Sequence, residues 1–274
     1  MKKLIALILT FIMTFMFVSC TQGADDTAST DSVESTESVA AQSDLEYVKQ
    51  KGKMVIGITD YAPMNYKEEG SDEWTGFDTE FAEAVCKEIG VDAEFFVLAD
   101  WGAKVNELNA KTIDAVWNGM TILPELQESM SISDPYVVNA QVIVCKEANK
   151  DTFATVESIK DAAIAVEGGS AAEELVADYA NVTPCQNMAN TLLEVQSGAA
   201  DVAIIDITMA QSMTGEGTSY SDLTYTASLS EEEYGIGFRK GSDICTKVNE
   251  IMSEMKADGT LKALADKYEL TLAE

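Results

Sequence analysis

The chain repeats one pattern, first in LNAKTIDAVWNGMT at residues 108–121 and again in VQSGAADVAIIDIT at residues 195–208. In each stretch, the end of a helical pattern leads into an apolar run that begins with an aspartate and ends in polar groups. An apolar run of this length after a helix is typical of a buried strand in an α/β unit. The repeat therefore predicts two similar α/β halves with polar side chains after a central strand.

Strand and helix patterns alternate around both stretches. In the first half they are predicted at residues 53–59 (strand), 77–90 (helix), 92–98 (strand), 101–110 (short helix) and 112–120 (strand). In the second half they are predicted at residues 162–170 (strand), 171–180 (helix), near Val182 (weak strand), 188–196 (helix) and 201–207 (strand). This alternation predicts parallel sheets with right-handed crossovers.

Two further β-rich runs connect the halves. Residues 140–146 leave the first half and residues 233–243 follow the second half, so the chain can cross between two lobes twice. We expect one lobe of residues 44–139 plus 234–274 and a second lobe of residues 140–233. Ligands of open parallel sheets bind beyond the carboxyl ends of the strands. Two such sheets that face each other predict a binding cleft with a hinge.

The N-terminal segment, residues 1–19, is predicted to be a lipoprotein signal peptide. Its apolar run, residues 4–18, follows two lysines and is shorter than the roughly 20 residues of a membrane-spanning helix. The sequence FVSC, residues 17–20, resembles a bacterial lipoprotein cleavage box in which Cys20 carries the lipid. A plain signal peptide is the alternative. Residues 20–43 contain no aromatic residue and no lysine, which predicts a disordered acidic tether between the lipid and the folded part.

The charge of the chain excludes one class of partner. Removal of the signal peptide takes away two lysines and leaves 16 basic residues against 47 acidic ones, a net charge of −31. Such a surface repels nucleic acid. No calcium-loop pattern of the Asp-x-Asp-x-Asp-Gly type is present, so a dispersed acidic surface explains the charge.

Four cysteines remain after Cys20: Cys86, Cys145, Cys185 and Cys245. They are scattered without a Cys-x-x-Cys pair, so two disulfides and isolated thiols are both open. The chain contains no histidine, and a zinc site is not expected. No cofactor is predicted.

Seven segments together resemble one protein family. In chain order they are VIGITDYAPMNY, WTGFDTEFAEAVCKEIG, IDAVWNGMTI followed by SDPYV, VEGGSAAEEL, ADVAIID, EYGIGFRKG and KADGTLKALADKY. Residues 44–274 thereby resemble the extracellular solute-binding proteins of bacterial ABC importers, family 3, the polar amino-acid group with the type II periplasmic-binding fold. The resemblance implies a two-lobed receptor at the cell surface or in the periplasm. It would close on a small ligand and deliver it to a permease with ATPase subunits.

The resemblance also implies roles for residues of the cleft. Tyr61 and Trp101 match positions where the family lines its ligand with apolar or aromatic faces; the alternative for both is plain core. Asp206 matches the acid that holds the ligand's α-ammonium group, and the alternative is a cap of the following helix. Further matches, which supply backbone and hydroxyl groups to the ligand, are Asn118, Gly119 and Thr121.

A glycine turn precedes Ser170 at a predicted helix start. Ser170 with Glu173 three residues later is a capping-box pattern, which explains the serine by itself. Free amide groups at a helix N-terminus also attract anions, and the two explanations are compatible.

The sequence departs from the family at Leu126, where the family has an arginine that binds the ligand's carboxylate. Thr121, the amides around Ser170 and Lys104 are the expected replacements, although Lys104 can equally be a solvated helix lysine.

Three acids, Asp60, Glu167 and Asp206, are expected in the cleft. This balance favours a small amino acid, polar or cationic, and the alternative is an amine that lacks the α-carboxylate.

Two other classes of function fit the sequence less well. A few dehydratases share this fold, but the chain has no histidine for acid–base chemistry and no visible nucleophile with an adjacent base. A sensor would need a membrane span or a signalling module beyond residue 274. The sequence therefore favours a binding protein over an enzyme.

Overall fold

The computed structural model describes residues 43–274. The predicted signal peptide, the lipid site at Cys20 and the tether before Ser43 lie outside the described residues. Ser43 itself caps the first helix, because its hydroxyl accepts a hydrogen bond from the Glu46 amide. Within residues 43–274, no helix combines the length and the apolar character needed to cross a membrane.

The first part of the chain alternates short helices and strands. Its elements are α1 Asp44–Lys51, β1 Lys53–Ile58, β2 Tyr66–Lys67, β3 Trp74–Thr75, α2 Phe77–Ile89, β4 Asp92–Val97, α3 Lys104–Asn109, β5 Ala115–Thr121, α4 Pro124–Ser129, β6 Met130–Ile132 and β7 Val137–Asn139. A single 3₁₀ turn, Trp101–Ala103, leads into α3.

The remaining chain continues the alternation and ends in two helices. Its elements are β8 Gln141–Lys146, β9 Ile164–Glu167, α5 Ala171–Leu175, β10 Val182–Cys185, α6 Met188–Ser197, β11 Val202–Asp206, α7 Ile207–Met213, β12 Leu223–Ser228, β13 Glu232–Arg239, α8 Asp243–Asp258 and α9 Thr260–Lys267. Two 3₁₀ turns, Glu147–Asn149 and Val156–Ile159, follow β8.

Two larger sheets organise these elements. The first has the strand order β4-β1-β5-β13-β6, with β7 also paired to β13. Strand β1 pairs in parallel with β4 and β5, as the alternating pattern predicts, whereas β13 pairs antiparallel with β5, β6 and β7. We call this sheet with the helices packed on it the first lobe.

The second sheet has the strand order β10-β9-β11-β8-β12. Strand β9 pairs in parallel with β10 and β11, and β8 pairs antiparallel with β11 and β12. We call this sheet with its helices the second lobe. The parallel pairings confirm the two predicted α/β halves. The chain passes from the first sheet to the second between β7 and β8, and it returns between β12 and β13.

Helix α2 shows how the local sequence sets its bounds. Phe77, Phe81 and Val85 recur at helical spacing and are buried on one face. The helix ends at Gly90, whose φ of 87° is left-handed and whose amide closes onto Cys86 O and Lys87 O. Beneath it, all residues of β1 except Lys53 are buried, as expected for a parallel strand covered on both faces.

One helix is shorter than its sequence predicted. The pattern predicted a helix over residues 171–180, but α5 ends at Leu175 and the chain continues in turns. Val176 turns inward and is fully buried, while Asp178 would place a negative charge near a helix C-terminus, where the helix dipole opposes it.

Arg239, the only arginine of the chain, belongs to the core of the first lobe. Its guanidinium donates to Asp44 at 2.8 Å and to Asp114 at 3.2 Å, and also to the backbone oxygen of Ile113 at 2.8 Å. It therefore ties α1 and β13 to the start of β5 and is not available to a ligand. The cysteines of the described residues, Cys86, Cys145, Cys185 and Cys245, are all free thiols.

Candidate ligand-binding site

A narrow pocket with a cavity volume of about 20 Å³ lies between the two sheets, beyond the carboxyl ends of their parallel strands. This volume has room for about one water molecule, so the two lobes are nearly in contact around the pocket. It is lined by Tyr61, Trp101, Lys104, Asn118, Gly119, Met120, Thr121, Leu123, Leu126, Gln141, Glu167, Gly169, Ser170, Ala171, Met188 and Asp206. Both lobes contribute to it.

Most of the predicted site residues meet in this pocket. Those that line it are Tyr61, Trp101, Lys104, Asn118, Gly119, Thr121, Glu167, Ser170 and Asp206. Asp60 does not line it: the side chain is exposed, because the chain turns away after β1. The structure thus does not bring Asp60 together with Glu167 and Asp206 at this pocket.

Asp206 ends β11 and is almost completely buried. Its Oδ2 accepts a hydrogen bond from the Tyr61 hydroxyl at 2.7 Å, and its Oδ1 accepts from Asn139 Nδ2 at 2.9 Å and from Gln141 Nε2. Burial, reinforced by the nearby charge of Glu232, raises the pKa of Asp206 to about 7. Asp206 precedes helix α7 but makes no capping hydrogen bond, so the capping explanation is wrong.

Three hydroxyl groups surround the other side of this carboxylate. The Tyr61 hydroxyl forms hydrogen bonds with Thr208 Oγ1 and with the Tyr234 hydroxyl, the latter at 2.5 Å. Thr208 Oγ1 and the Tyr234 hydroxyl are themselves hydrogen-bonded at 3.0 Å. Because Tyr61 and Tyr234 belong to the first lobe and Thr208 to the second, this cluster joins the lobes at the base of the pocket.

Glu232 adds an acid that the sequence did not single out. It begins β13, and its Oε1 accepts hydrogen bonds from Thr121 Oγ1 at 2.9 Å, Asn139 Nδ2 at 2.6 Å and Gln141 Nε2 at 2.7 Å. The amides of Asn139 and Gln141 thus bridge Asp206 and Glu232, at the places where the chain crosses between lobes. The Thr121 hydroxyl, predicted to bind ligand, is engaged by this acid.

Lys104 is buried and reaches across the cleft, so the solvated-lysine alternative is wrong. Its Nζ donates to Gly169 O at 3.1 Å and to Trp101 O at 3.3 Å, and it lies 4.7 Å from the centre of the Trp101 ring. Burial lowers the pKa of Lys104 to about 8, and the charge of Glu167 opposes this shift.

Glu167 ends β9 and is only 5% exposed. Within residues 43–274, its Oε1 has no hydrogen-bond partner although it is buried at the pocket. Burial raises the pKa of Glu167 to about 8, the charge of Asp206 adds to the shift, and Lys104 reduces it. A buried carboxylate without a partner is costly, so this atom is a point where a ligand can donate.

The Ser170 turn is a capped helix start. Ser170 Oγ donates to Glu167 O at 2.7 Å and accepts from the Glu173 amide at 3.3 Å. The Gly169 amide donates to Glu173 Oε2 at 2.7 Å, so the acid reaches back one residue further than in a standard capping box. The amides of Gly169, Ser170 and Glu173 are thereby engaged within the protein, since the Ser170 amide also donates to Glu167 O at 3.3 Å.

The polar groups at the end of β5 are held by the first lobe. Asn118 donates to Thr59 Oγ1 at 2.7 Å and accepts from the Thr59 amide at 3.0 Å. The Gly119 amide donates to Asp78 Oδ2 at 2.7 Å; Asp78 is fully buried, and burial raises its pKa to about 7. Gly119 has a φ of 57°, and a Cβ there would lie 2.7 Å from Tyr61 Cε1, so only glycine fits.

The lobes also touch through two glycines. A Cβ on Gly169, whose φ is 71°, would lie 2.5 Å from the Cα of Gly102. Gly102 belongs to the 3₁₀ turn of the first lobe, next to Trp101. The cleft is therefore closed on this side by main chain against main chain.

Comparison with known families identifies one match. The family described as bacterial extracellular solute-binding proteins, family 3, matches residues 54–271 of this chain.

Curated relatives share sequence over most of the chain. The L-cystine-binding protein TcyJ of Escherichia coli strain K12 is 29% identical, covering 85% of this chain and 89% of the relative. The arginine-binding extracellular protein ArtP of Bacillus subtilis strain 168 is 31% identical, covering 80% of this chain and 86% of the relative.

A solved structure shares the fold. The ancestral amino acid-binding protein AncCDT-1, a precursor of cyclohexadienyl dehydratase, superposes with a TM-score of 0.75 at 30% identity. The match covers 82% of this chain and 99% of that structure. This agreement confirms the predicted type II periplasmic-binding fold with two lobes joined by two crossings.

Proposed function

Because the chain belongs to the bacterial extracellular solute-binding proteins of family 3, we propose that it is the substrate-binding protein of an ABC importer. It captures a small amino acid or amine at the cell surface or in the periplasm, and a lipid on Cys20 anchors it to the membrane. It delivers the ligand to the permease, whose ATPase subunits lie on the other side of the membrane.

The observation that carries this proposal is the setting of Asp206. Its carboxylate ends a strand of the second lobe, faces a pocket shared by both lobes and accepts a hydrogen bond from Tyr61 of the first lobe. A buried carboxylate needs a positive partner or hydrogen-bond donors. Within the described residues Asp206 accepts hydrogen bonds from three neutral groups and has no ion pair, and an ammonium group of the ligand would supply the positive charge. The cystine- and arginine-binding names of the relatives support a ligand with an amino group.

The proposed lobes comprise residues 44–139 plus 234–274 and residues 140–233. The crossings at Ala140 and Glu233 lie beside the amides of Asn139 and Gln141, which bond both Asp206 and Glu232. A ligand bound to Asp206 would then be linked to the hinge through two successive hydrogen bonds: its own bond to Asp206, and the bond between Asp206 and the amide of Asn139 or Gln141. Contacts such as Lys104 to Gly169 O favour the closed state.

The proposed role is binding without turnover. The pocket side chains that can transfer a proton are Asp206, Glu167, Lys104 and Tyr61, and none activates a serine, threonine or cysteine nucleophile within the described residues. The dehydratase descendants of AncCDT-1 make an enzyme the alternative to test. Unchanged ligand after long incubation with the protein would support the binding role.

A ligand screen on the mature chain tests the proposal. Thermal-shift assays with amino acids and amines, followed by calorimetric titration of the best compounds, should find at least one that binds. Asp206→Asn should weaken that ligand by roughly 30-fold or more, because a desolvated charge pair is worth about 2 kcal/mol or more. The matched control is Asp201→Asn, which alters an exposed aspartate just before the same strand. Equal binding by the Asp206→Asn variant would contradict the proposal.

A further inference from the structure

We propose that the ligand is a small linear cation with an amine or guanidinium group at each end and no free carboxylate. This inference rests on the proposed function and specifies the ligand of the same pocket. It follows from the hydrogen-bond inventory of the pocket, from its charges and from Leu126.

Most of the donors expected to replace the absent arginine are already engaged within the protein. The Thr121 hydroxyl donates to Glu232, and the Ser170 hydroxyl donates to Glu167 O. The Gly169 amide donates to the carboxylate of Glu173. Lys104 uses two of its three protons on backbone oxygens. To gain more than the third proton of Lys104 from these groups, a ligand carboxylate would have to break one of these bonds.

Within residues 43–274, the fully buried side-chain atoms of the pocket that have no hydrogen-bond partner are both oxygens. Among the described residues that line the pocket, the buried oxygens without a hydrogen bond are Glu167 Oε1 and Gln141 Oε1. Gln141 is 2% exposed and its amide nitrogen donates to both Asp206 and Glu232, so its oxygen is free to accept. Glu167 Oε1 and Gln141 Oε1 can therefore each accept a hydrogen bond from a ligand, and a ligand carboxylate has no proton to donate.

The charges of the pocket point the same way. Burial favours the protonated forms of Asp206 and Glu167, and a bound cation favours their ionised forms. When these two acids and Glu232, which lies one hydrogen bond behind Gln141, are ionised, they outnumber Lys104 by two charges. An amino acid with a neutral side chain brings no net charge, and a basic amino acid brings one positive charge. A dication brings two, and buried charge is tolerated only where it is paired. One end would lie on Asp206 and Gln141, and the other end on Glu167.

The middle of the pocket suits an alkyl chain. Met120, Leu126 and Met188 line it together with the polar groups. Leu126 lies on α4, where an arginine could reach a carboxylate, but leucine offers only apolar contact. Replacement of the arginine therefore removes the carboxylate site and extends the apolar wall in one step.

Matched ligands test this inference. Lysine and 1,5-diaminopentane differ by the carboxylate alone, as do arginine and agmatine, and 1-aminopentane lacks the second amine. Calorimetry on the mature chain should show each decarboxylated compound binding at least 10-fold more tightly than its parent amino acid. Diaminopentane should also bind at least 10-fold more tightly than aminopentane, and Glu167→Gln should remove that second difference.

A gain-of-function variant makes the test sharper. Leu126→Arg restores the guanidinium of the family and should reverse the preference, so that lysine binds more tightly than diaminopentane. Gln127→Arg adds the same charge to an exposed neighbour on the same helix and should leave the preference unchanged.

Two results separate the possible failures. If the parent protein binds lysine or arginine as tightly as the decarboxylated compound, the inference is wrong and the proposed function stands. If neither amines nor amino acids bind and an unrelated solute does, the proposed function is wrong as well.

Discussion

Asp206→Asn should change the stability of the ligand-free protein in a way that depends on pH. Folding raises the pKa of Asp206 from 3.8 to about 7, because the carboxylate is buried near Glu232. A carboxyl group that binds its proton more tightly in the folded state destabilises the fold progressively as pH rises from about 4 to about 7. Asparagine cannot ionise, so the variant lacks this destabilisation.

The magnitude follows from the shift. At 1.36 kcal/mol per pKa unit, the raised pKa of Asp206 corresponds to about 4 kcal/mol at pH 8 and about 2 kcal/mol at pH 5. Relative to the parent, the free energy of unfolding of Asp206→Asn should therefore increase by about 2 kcal/mol between pH 5 and pH 8. The substitution that weakens binding should thus stabilise the ligand-free protein more at pH 8 than at pH 5.

Urea unfolding of both proteins at pH 5 and pH 8 measures this difference. Asp114→Asn is the control: Asp114 is equally buried but paired with Arg239 and Lys51, and its loss should destabilise the protein at both pH values. If Asp206→Asn changes the free energy of unfolding by the same amount at pH 5 and pH 8, the ionised Asp206 carboxylate does not destabilise the ligand-free protein, and the reasoning fails.

Other predictions concern the anchor, the closure and the pocket walls. Mass spectrometry of the mature protein should find an acylated Cys20, and a mature chain that begins elsewhere would remove the anchor from the proposal. Small-angle scattering should show a smaller radius of gyration at saturating ligand, with unchanged far-ultraviolet circular dichroism; an unchanged radius would contradict the hinge unless the empty protein is already closed. Lys104→Met should weaken lysine and spare diaminopentane in calorimetry, since only lysine carries a carboxylate, and an equal loss for both would assign Lys104 to closure alone. Gly119→Ala should lower the stability by about 1 kcal/mol or more in thermal unfolding, because alanine would meet the Tyr61 ring and adopt a strained φ; an unchanged melting temperature would show that the ring moves aside.

The fold was predictable because its signals are local. The apolar runs of β1 and β11 and the helical spacing of α2 each lie within about 15 residues, and the parallel order follows from their alternation. The pocket residues at strand ends, such as Asp206 and Glu167, were predictable for the same reason, since polar groups after parallel strands meet at one edge.

The hinge acids and amides were not predictable from alternation. Gln141 lies directly opposite Asp206 in the antiparallel pairing of β8 with β11, and Tyr234 lies opposite Thr121 in the pairing of β13 with β5. The sequence predicted only the parallel neighbours, so Gln141 was assigned to a crossing and Glu232, which lies just before the second crossing, was not singled out. Gln141, the polar first residue of the apolar run QVIVC, was the one sign in the sequence that this strand contributes to the site.

Burial decided the remaining differences. The sequence did not decide whether Lys104 lies in the pocket or in solvent, because its helix is too short to show a periodic apolar face. Asp60 was placed in the cleft because it follows β1, but the direction of the turn after a strand is set by packing of distant residues.

The close approach of Gly102 and Gly169 at the edge of the cleft affects how a permease would recognise the ligand-bound receptor. Side chains can rotate to accommodate a larger or smaller ligand, whereas the main chains of Gly102 and Gly169 form a hard mechanical stop. Every solute that allows closure would then bring the lobes to the same final angle. A permease docking on the shut receptor would meet one outer surface whatever lies inside, so the presence of cargo would be signalled without its identity.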